Sequence, residues 1–251
     1  MYSMPPVTKN LLIINCLCYL AMLVLPRYGV ELNDVLGLHF FVARDFQPWQ
    51  LFTYMFMHGS IEHLFFNMFA LWMFGRIIEA ILGSRRFLFY FIACGLGAGL
   101  CQELVQWIHY SMMEHADWAV NQMGQAIDGQ FVVTDMGRQD INAWTTVGAS
   151  GAIYGVLLAF GMLLPEERMF VFPIPVPIKA KYFVIGYACI ELFAAQSNDG
   201  VAHYAHLGGM LFGFLILMCW KDSGNSGLFG KMKDAFGRRN KNNIHVYTRN
   251  Y

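Results

Sequence analysis

The sequence predicts an all-α, polytopic membrane protein with six transmembrane helices. Of its 251 residues, 57% are hydrophobic and only 14% are charged, whereas a soluble domain carries about 25% charged residues. The apolar residues also collect into six stretches bounded by charges or turn residues, and several approach the ~20 residues that cross a ~30 Å hydrocarbon layer. These stretches are about 11–26, 62–82, 86–108, 148–164, 180–195 and 201–220.

The first stretch is predicted to remain in the chain as a helix. Lys9 is the only charge before it, and no small-residue cleavage site follows Leu23–Pro26, so the pattern is not that of a signal peptide. Residues 1–220 are expected to form one membrane domain. Residues 221–251 are expected to form a basic cytoplasmic tail, which either rests a short helix on anionic lipid headgroups or docks a partner.

The Lys and Arg residues of the connecting segments predict that both termini are cytoplasmic. With the N-terminus inside, thirteen of these cations lie in cytoplasmic segments, and only Arg27, Arg44 and Arg138 lie on the opposite side. The formal net charge of +0 removes any argument from basicity for a nucleic-acid partner. We therefore expect a multi-pass protein of the inner or plasma membrane.

Two loops on the non-cytoplasmic side are long. The first, about 27–61, is rich in aromatic and apolar residues, which predicts a segment lying in the membrane interface. The second, about 109–147, is polar and acidic. It is either a tolerated loop insertion or a segment that shapes substrate access or contacts a partner.

Three polar clusters begin the stretches that run from the outside inward. They lie in segments 58–67, 148–155 and 202–213. Polar residues inside membrane spans are costly and by default indicate function. Because all three clusters fall at the same depth on the same side, the sequence predicts that they converge on one site.

The residue types in these clusters fit nucleophilic catalysis. Ser150 is placed at a helix N-terminus, where free backbone N–H groups and the helix dipole favour a developing oxyanion. A histidine of the last stretch is expected to accept its proton. His63 and Asn67 are four residues apart on one helix face, so both can donate hydrogen bonds to that oxyanion.

Small residues predict close packing of the two helices that carry the serine and the histidine. Gly151 and Gly155 form one GxxxG step, and Gly209 and Gly213 form another. Such steps let two helix backbones approach closely in lipid. This approach is expected to bring a hydroxyl and an imidazole within hydrogen-bonding reach, as nucleophile activation requires.

Each element also has a simpler explanation. A serine among small residues is often a packing residue, and a histidine at a helix end is often structural. The segment His58, Glu62 and His63 resembles a zinc motif, but on one helix the two imidazoles would be rotated by about 140°. The sequence therefore predicts neither a metal site nor a cofactor.

At these residues the chain resembles the rhomboid intramembrane serine proteases of the six-helix bacterial type. The resemblance covers roughly residues 11–220. It implies that Ser150 is the nucleophile and His206 the general base, in a dyad without an aspartate. The motifs are HxxxxHxxxN at His58, His63 and Asn67, the GxSG string from Gly148 to Gly151, and AHxxGxxxG at Ala205, His206, Gly209 and Gly213.

The resemblance also assigns supporting residues. It implies an oxyanion hole from His63, Asn67 and the backbone N–H of Ser150, and stacking of Tyr154 on the catalytic imidazole. Glu79 looks like the family's buried glutamate that steadies the first outward loop. The glycine spacing selects His206 over His203, which is expected to contact the interface or a loop, and Glu191 is expected to be buried without a catalytic role.

The resemblance implies cleavage of peptide bonds in or near the transmembrane segments of substrate proteins. A substrate helix is expected to enter past the fifth helix and the loop around residues 196–201, and to unwind before attack, because helical backbone groups are shielded. One alternative is a non-catalytic member of the same fold that binds transmembrane helices. A transporter is a weaker alternative, since the sequence has no repeated halves.

Overall fold

The computed structural model describes residues 4–114, 124–127, 130–133, 141–170, 175–195 and 202–222, which are mostly helical. The helices are α1 (Pro6–Val24), α2 (Leu32–Leu36), α3 (Gln50–Thr53), α4 (Ile61–Ala70), α5 (Arg76–Leu82), α6 (Ser84–Glu114), α7 (Ser150–Leu163), α8 (Ala180–Ala194) and α9 (His203–Asp222). Short 3-10 helices follow α1 and α3 at Leu25–Tyr28 and Tyr54–Phe56, and a π-helical segment, Leu71–Gly75, joins α4 to α5.

Four helical segments in the described part are long and apolar enough to cross a membrane. They are Pro6–Tyr28, Ile61–Leu82, Ser84–Met112 and His203–Lys221. Helices α7 and α8 coincide with the fourth and fifth predicted stretches but have only 14 and 15 residues, below the usual ~17 for a span. The predicted polytopic helical membrane class is therefore confirmed, while the count of six spans stays a prediction.

Local sequence explains where several helices begin and end. Helix α1 starts at Pro6, since proline has no N–H to leave unpaired in the first turn. Lys9 therefore lies within the helix and not before it. Ser60 caps α4 by accepting a hydrogen bond from the backbone N–H of His63 at 3.1 Å. Gly83 ends α5 with a φ of +79°, a conformation that glycine adopts without strain.

Helix α7 lies in the middle of the bundle, against α6, α8 and α9. Most of its residues are buried, including Gly151, Gly155 and Phe160. Helix α8 is different, because large apolar side chains on much of its surface are exposed, among them Tyr182, Ile185 and Phe193. The bundle thus has a packed centre at α7 and an apolar, lipid-compatible flank at α8.

Short strands form in the connections, which the sequence analysis did not predict. The strands are β1 (Leu38–His39), β2 (Gly124–Ile127), β3 (Gln130–Val133), β4 (Thr145–Thr146), β5 (Arg168–Met169) and β6 (Ile178–Lys179). They form three antiparallel pairs, β1 with β4, β2 with β3 and β5 with β6. The first pair aligns Leu38 with Thr146 and so ties the first outward loop to the segment that leads into α7.

Buried polar side chains organise the first outward loop. The side-chain oxygen of Gln50 accepts from the backbone N–H groups of His39 and Gln47, and its amide donates to the carbonyls of Val35 and Asp45. Its position in the membrane interface stays a prediction. Most of the second loop, 115–123, 128–129 and 134–140, and the tail from 223 onward lie outside the described residues.

The expectation that Glu79 steadies the first outward loop is wrong. Its carboxylate accepts hydrogen bonds from the backbone N–H of Val7 at 3.0 Å, from the backbone and hydroxyl of Thr8 at 2.7 and 2.8 Å, and from the Ser84 hydroxyl at 2.7 Å. Glu79 therefore fastens the start of α1 to the turn between α5 and α6. The loop is held instead by Glu103 on α6, which accepts from the backbone N–H of Phe41 at 2.7 Å.

These contacts define two ends of the bundle, which take the names inner and outer from the predicted orientation. The inner end contains the start of α1, the α5–α6 turn and the end of α9, where the Arg86 guanidinium lies 5.9 Å from the Trp220 ring centre. The outer end contains the starts of α4, α7 and α9 and the first outward loop. All three polar clusters predicted to converge are at the outer end.

Candidate active site

Ser150 is the first residue of α7, directly after a tight turn. Gly148 adopts a φ of +126°, a region that side chains rarely allow. Its N–H donates to the carbonyl of Tyr54 at 2.9 Å, which fixes the turn to the first outward loop. The backbone N–H of Ser150 belongs to the first turn of the helix, whose N–H groups have no intrahelical partner.

The side chain of Ser150 is hydrogen-bonded to His206. The distance from Ser150 Oγ to His206 Nε2 is 2.8 Å. His206 is only 7% exposed, and its ring stacks on the ring of Tyr154, with centroids 4.2 Å apart and an interplanar angle of 10°. A hydroxyl paired with a buried, oriented imidazole is the arrangement that activates a serine for nucleophilic attack.

Glycines create the approach between α7 and α9 that brings these groups together. A Cβ atom added to Gly209 would lie 1.9 Å from the carbonyl oxygen of Gly151, so the two backbones are in direct contact. A Cβ added to Gly155 would lie 3.1 Å from the carbonyl oxygen of Gly209 on α9 and 2.5 Å from Cys94 Sγ on α6. A Cβ added to Gly213 would lie 2.4 Å from Tyr90 Oη, also on α6. The close packing predicted from the two GxxxG steps is present.

His63 and Asn67 lie on α4. The Nδ1 atom of His63 accepts from the backbone N–H of Gly59 at 3.4 Å, so the ring proton of the neutral form is on Nε2. A Cβ added to Gly148 would lie 2.8 Å from that Nε2 and 3.5 Å from Ser150 Oγ. The Nδ2 group of Asn67 is buried and has no hydrogen-bond partner among the described residues.

His58 is fully buried and lies against His63, with ring centroids 5.1 Å apart. It precedes α4, so the argument that it and His63 are rotated apart on one helix does not apply. Burial, followed by the nearby imidazole of His63, lowers the pKa of His58 from 6.5 to about 4. His58 is therefore neutral at physiological pH and supports the ring of His63 from behind.

Sequence reasoning missed the roles of Glu191 and His203. Glu191 is 5% exposed, and its Oε2 atom lies 2.9 Å from His206 Nδ1 and 2.6 Å from His203 Nδ1. Its Oε1 atom accepts a hydrogen bond from the hydroxyl of Tyr154. The expectation that His203 contacts the interface or a loop is wrong, since its ring is buried at the site. An acidic residue within an apolar stretch was the signal that could have identified Glu191.

Among the described residues, one group of side chains has the composition and spacing that suit a metal ion. It consists of Glu191, His203 and His206, whose ligand atoms lie within 4.8 Å of one another. The short distances favour hydrogen bonds instead. Two ligands of a tetrahedral ion bound at ~2.0–2.1 Å lie roughly 3.3 Å apart, whereas the two imidazoles lie 2.6 and 2.9 Å from the same oxygen.

Comparison with known proteins finds several similar chains. The chain is similar to rhomboid protein 1, mitochondrial, of Saccharomyces cerevisiae, with 28% identity over 64% of this chain and 38% of that protein. It is 29% identical to the human presenilin-associated rhomboid-like protein, mitochondrial, over 63% and 34% of the two chains. It is 27% identical to rhomboid protease GluP of Bacillus subtilis over 66% and 25%.

The matched region spans well under half the length of each of these relatives. The Rhomboid domain family matches residues 45–222, which include every residue of the three polar clusters and all helices from α3 to α9. The match covers more than half of the 251 residues. Because the family match covers this much of the chain and contains the residues gathered at the outer end, the protein belongs to the rhomboid family.

Proposed function

We propose that this protein is an intramembrane serine endopeptidase in which Ser150 is the nucleophile and His206 the general base. The observation that carries the proposal is the 2.8 Å contact between Ser150 Oγ and His206 Nε2 at the packed contact of α7 and α9. In the first step Ser150 Oγ bonds to the substrate carbonyl carbon and its proton moves to Nε2. That proton then passes to the departing amine, and water releases the acyl group by the reverse transfer.

The oxyanion formed in this reaction needs donors close to Ser150. The proposed donors are the backbone N–H of Ser150, His63 Nε2–H and Asn67 Nδ2. The tautomer of His63 and the unpartnered Asn67 amide support this assignment, because both groups have a proton to donate. Peptide hydrolysis by this arrangement consumes only water, so no cofactor is assigned.

The proposed substrates are transmembrane segments of other membrane proteins. The exposed apolar flank of α8, with Tyr182 at 60% and Phe193 at 82% exposure, suits a neighbouring apolar helix. The position of Glu191 on this same helix brings that flank next to the catalytic pair. The proposed entry loop, residues 196–201, lies outside the described residues.

The proposed orientation has both termini in the cytoplasm and the site opening to the non-cytoplasmic face of a cell membrane. It is supported by the cations near the inner end, such as Lys9, Arg85, Arg86 and Lys221, and by the positive-inside rule. In a variant whose six free cysteines are replaced, cysteines introduced singly at positions 29 and 83, on opposite ends, would be labelled by an impermeant reagent only at position 29 in whole cells. Labelling at position 83 alone would show that the protein has the opposite orientation.

The catalytic proposal is tested with purified protein in liposomes and a fluorogenic transmembrane substrate. Wild type is compared with Ser150→Ala and with the matched variant Ser111→Ala. The hydroxyl of Ser111 donates to the carbonyl of Trp107 and lies outside the proposed site. We expect turnover to fall by at least about 1,000-fold in Ser150→Ala only. Equal turnover by wild type and Ser150→Ala would refute the assignment.

A fluorophosphonate probe separates this function from the non-catalytic alternative. An activated serine reacts with the probe, and a serine that only packs does not. We expect labelling of wild type and Ser111→Ala and none of Ser150→Ala. A folded wild-type protein that stays unlabelled and binds transmembrane helices without cleaving them would instead support a binding role.

A further inference from the structure

Glu191 places a carboxylate directly behind the imidazole of His206. A carboxylate oxygen can only accept a hydrogen bond, so Nδ1 of His206, 2.9 Å from Glu191 Oε2, carries the proton. The opposite atom, Nε2, is then the unprotonated nitrogen that faces Ser150 Oγ at 2.8 Å. The carboxylate therefore selects the one tautomer of His206 that can accept a proton from the serine.

The carboxylate is itself held by two further donors. His203 Nδ1 lies 2.6 Å from the same Oε2 atom, and the hydroxyl of Tyr154 donates to Oε1. The ring of Tyr154 also stacks on His206. Tyr154 thus contacts both the carboxylate and the imidazole, and it fixes the angle between them.

Burial increases the strength of this arrangement. Glu191, His203 and His206 are 5%, 7% and 7% exposed. An interaction between a carboxylate and an imidazolium is much stronger in such surroundings than in water. The imidazolium formed when Ser150 gives up its proton is therefore stabilised at the moment when charge develops.

We infer that Glu191 is the positioning residue of a Ser150–His206–Glu191 triad, which takes the place of the dyad that the sequence resemblance implies. The inference rests on the proposed protease function. Glu191 stays ionised throughout: the proton of Ser150 moves to His206 Nε2 and then to the leaving amine, while the Nδ1 proton remains on His206. Because Glu191 comes from α8, the third member of the triad lies on the helix that forms the exposed flank.

The test compares Glu191→Gln, Glu191→Asp and wild type in liposomes over a range of pH. The amide of Gln has a similar shape but no charge, so we expect kcat to fall by about 100-fold to 10,000-fold with KM within about twofold. The acid limb of the pH–rate profile should move to lower pH, because the negative charge behind the general base is lost. Glu191→Asp keeps the charge on a shorter side chain and should retain more activity than Glu191→Gln, with the acid limb near its wild-type position.

Tyr154→Phe is the second variant, because it removes the hydroxyl that holds Oε1 and keeps the stacked ring. We expect a smaller fall in kcat, about threefold to tenfold, with the fold retained. A role of Glu191 in packing alone would lower the unfolding temperature of Glu191→Gln without moving the acid limb. The pH profile therefore separates positioning from packing.

The outcomes distinguish the two proposals. If Ser150→Ala is inactive and Glu191→Gln has the wild-type kcat and acid limb, the triad is wrong and the protease assignment remains. If Glu191→Gln does not fold, an unchanged kcat in both Glu191→Asp and Tyr154→Phe would overturn the triad. If wild type and Ser150→Ala have equal turnover, the protease function fails and the triad with it.

Discussion

The inner and outer ends of the bundle each contain a buried carboxylate with several hydrogen-bond donors, yet the two sites differ in chemistry. Glu79 at the inner end is 2% exposed and accepts from two backbone N–H groups and two hydroxyls. Glu191 at the outer end is 5% exposed and accepts from two imidazoles and a phenol. Both satisfy the requirement that a buried charge be hydrogen-bonded.

The difference shows that burial of a charge does not by itself identify a functional site. The donors of Glu79 do not titrate near neutral pH, so this carboxylate can only fasten α1 to the α5–α6 turn. Two donors of Glu191 are imidazoles, and imidazole is the side chain that most often transfers protons in catalysis. The chemistry of the donors therefore distinguishes a structural carboxylate, Glu79, from the carboxylate proposed to position a general base, Glu191.

Among the substitutions that test this comparison, the largest effect is expected at the outer end from Gly148→Ala. The new methyl group would lie 2.8 Å from the His63 ring, at a φ of +126° that alanine rarely adopts. Displacement of an oxyanion donor should lower kcat/KM by about 100-fold or more, measured with the fluorogenic substrate. Gly186→Ala on α8 is the matched control, since its Cβ would meet nothing within 4 Å. A Gly148→Ala variant as active as Gly186→Ala would contradict the assigned oxyanion site.

The next effect is expected at the inner end from Glu79→Gln. The amide NH₂ replaces one accepting oxygen and leaves buried donors of Val7, Thr8 or Ser84 unpaired, at a cost of about 1–3 kcal/mol each. The unfolding temperature in detergent should fall, while the acid limb of the pH–rate profile stays at its wild-type position. A shift of the acid limb like the one expected for Glu191→Gln would mean that Glu79 also influences the catalytic step and is not only structural.

A smaller effect is expected from His58→Phe at the outer end. The pKa of His58 is about 4 in the folded protein and 6.5 for the free side chain, so the unfolded chain binds more protons between these values. Stability conferred by the neutral ring is therefore present above pH 6.5 and is lost as the pH falls toward 4. Unfolding measured across this range should depend less on pH in His58→Phe. An unchanged pH dependence would show that His58 does not titrate in this way.

The smallest effect is expected from Glu166→Gln at the exposed connection between α7 and α8. Hydrogen bonds from Lys179 and Lys181 lower the pKa of Glu166 to about 2, so its contribution is lost only as the pH falls from 4.5 toward 2. Exposed ion pairs add little because water screens them. The unfolding temperature at neutral pH should match that of wild type. A clear decrease would mean that the inner end depends on this pair.

The sequence predicted much of the site because its chemistry depends on local spacing. The four-residue separation of His63 and Asn67 and the three-residue separation of His206 and Gly209 are fixed by the periodicity of one helix. Apolar stretches bounded by charges or turn residues located the starts of α4, α7 and α9 to within a few residues. It could not reveal the β1–β4 pair, since strands of two residues have no detectable alternation of polarity.

Contacts between distant segments account for what the sequence did not determine. Glu79 and Glu103 are both acidic residues in apolar stretches, and nothing in their local pattern tells which one reaches the first outward loop. The hydrogen bond from Phe41 to Glu103 and those from Val7 and Thr8 to Glu79 arise from how the helices pack.

The sequence by itself determined that the protein is a helical membrane protein, because hydrophobicity over about 20 residues is a property of the chain alone. It also determined which serine, histidines and asparagine meet at one depth. Only the tertiary structure decided that Glu191 stands behind His206 and that His203 and Tyr154 hold it there. Three separate helices supply those side chains, and their orientation depends on the contact of Gly151 with Gly209, where the absence of side chains lets α7 and α9 touch.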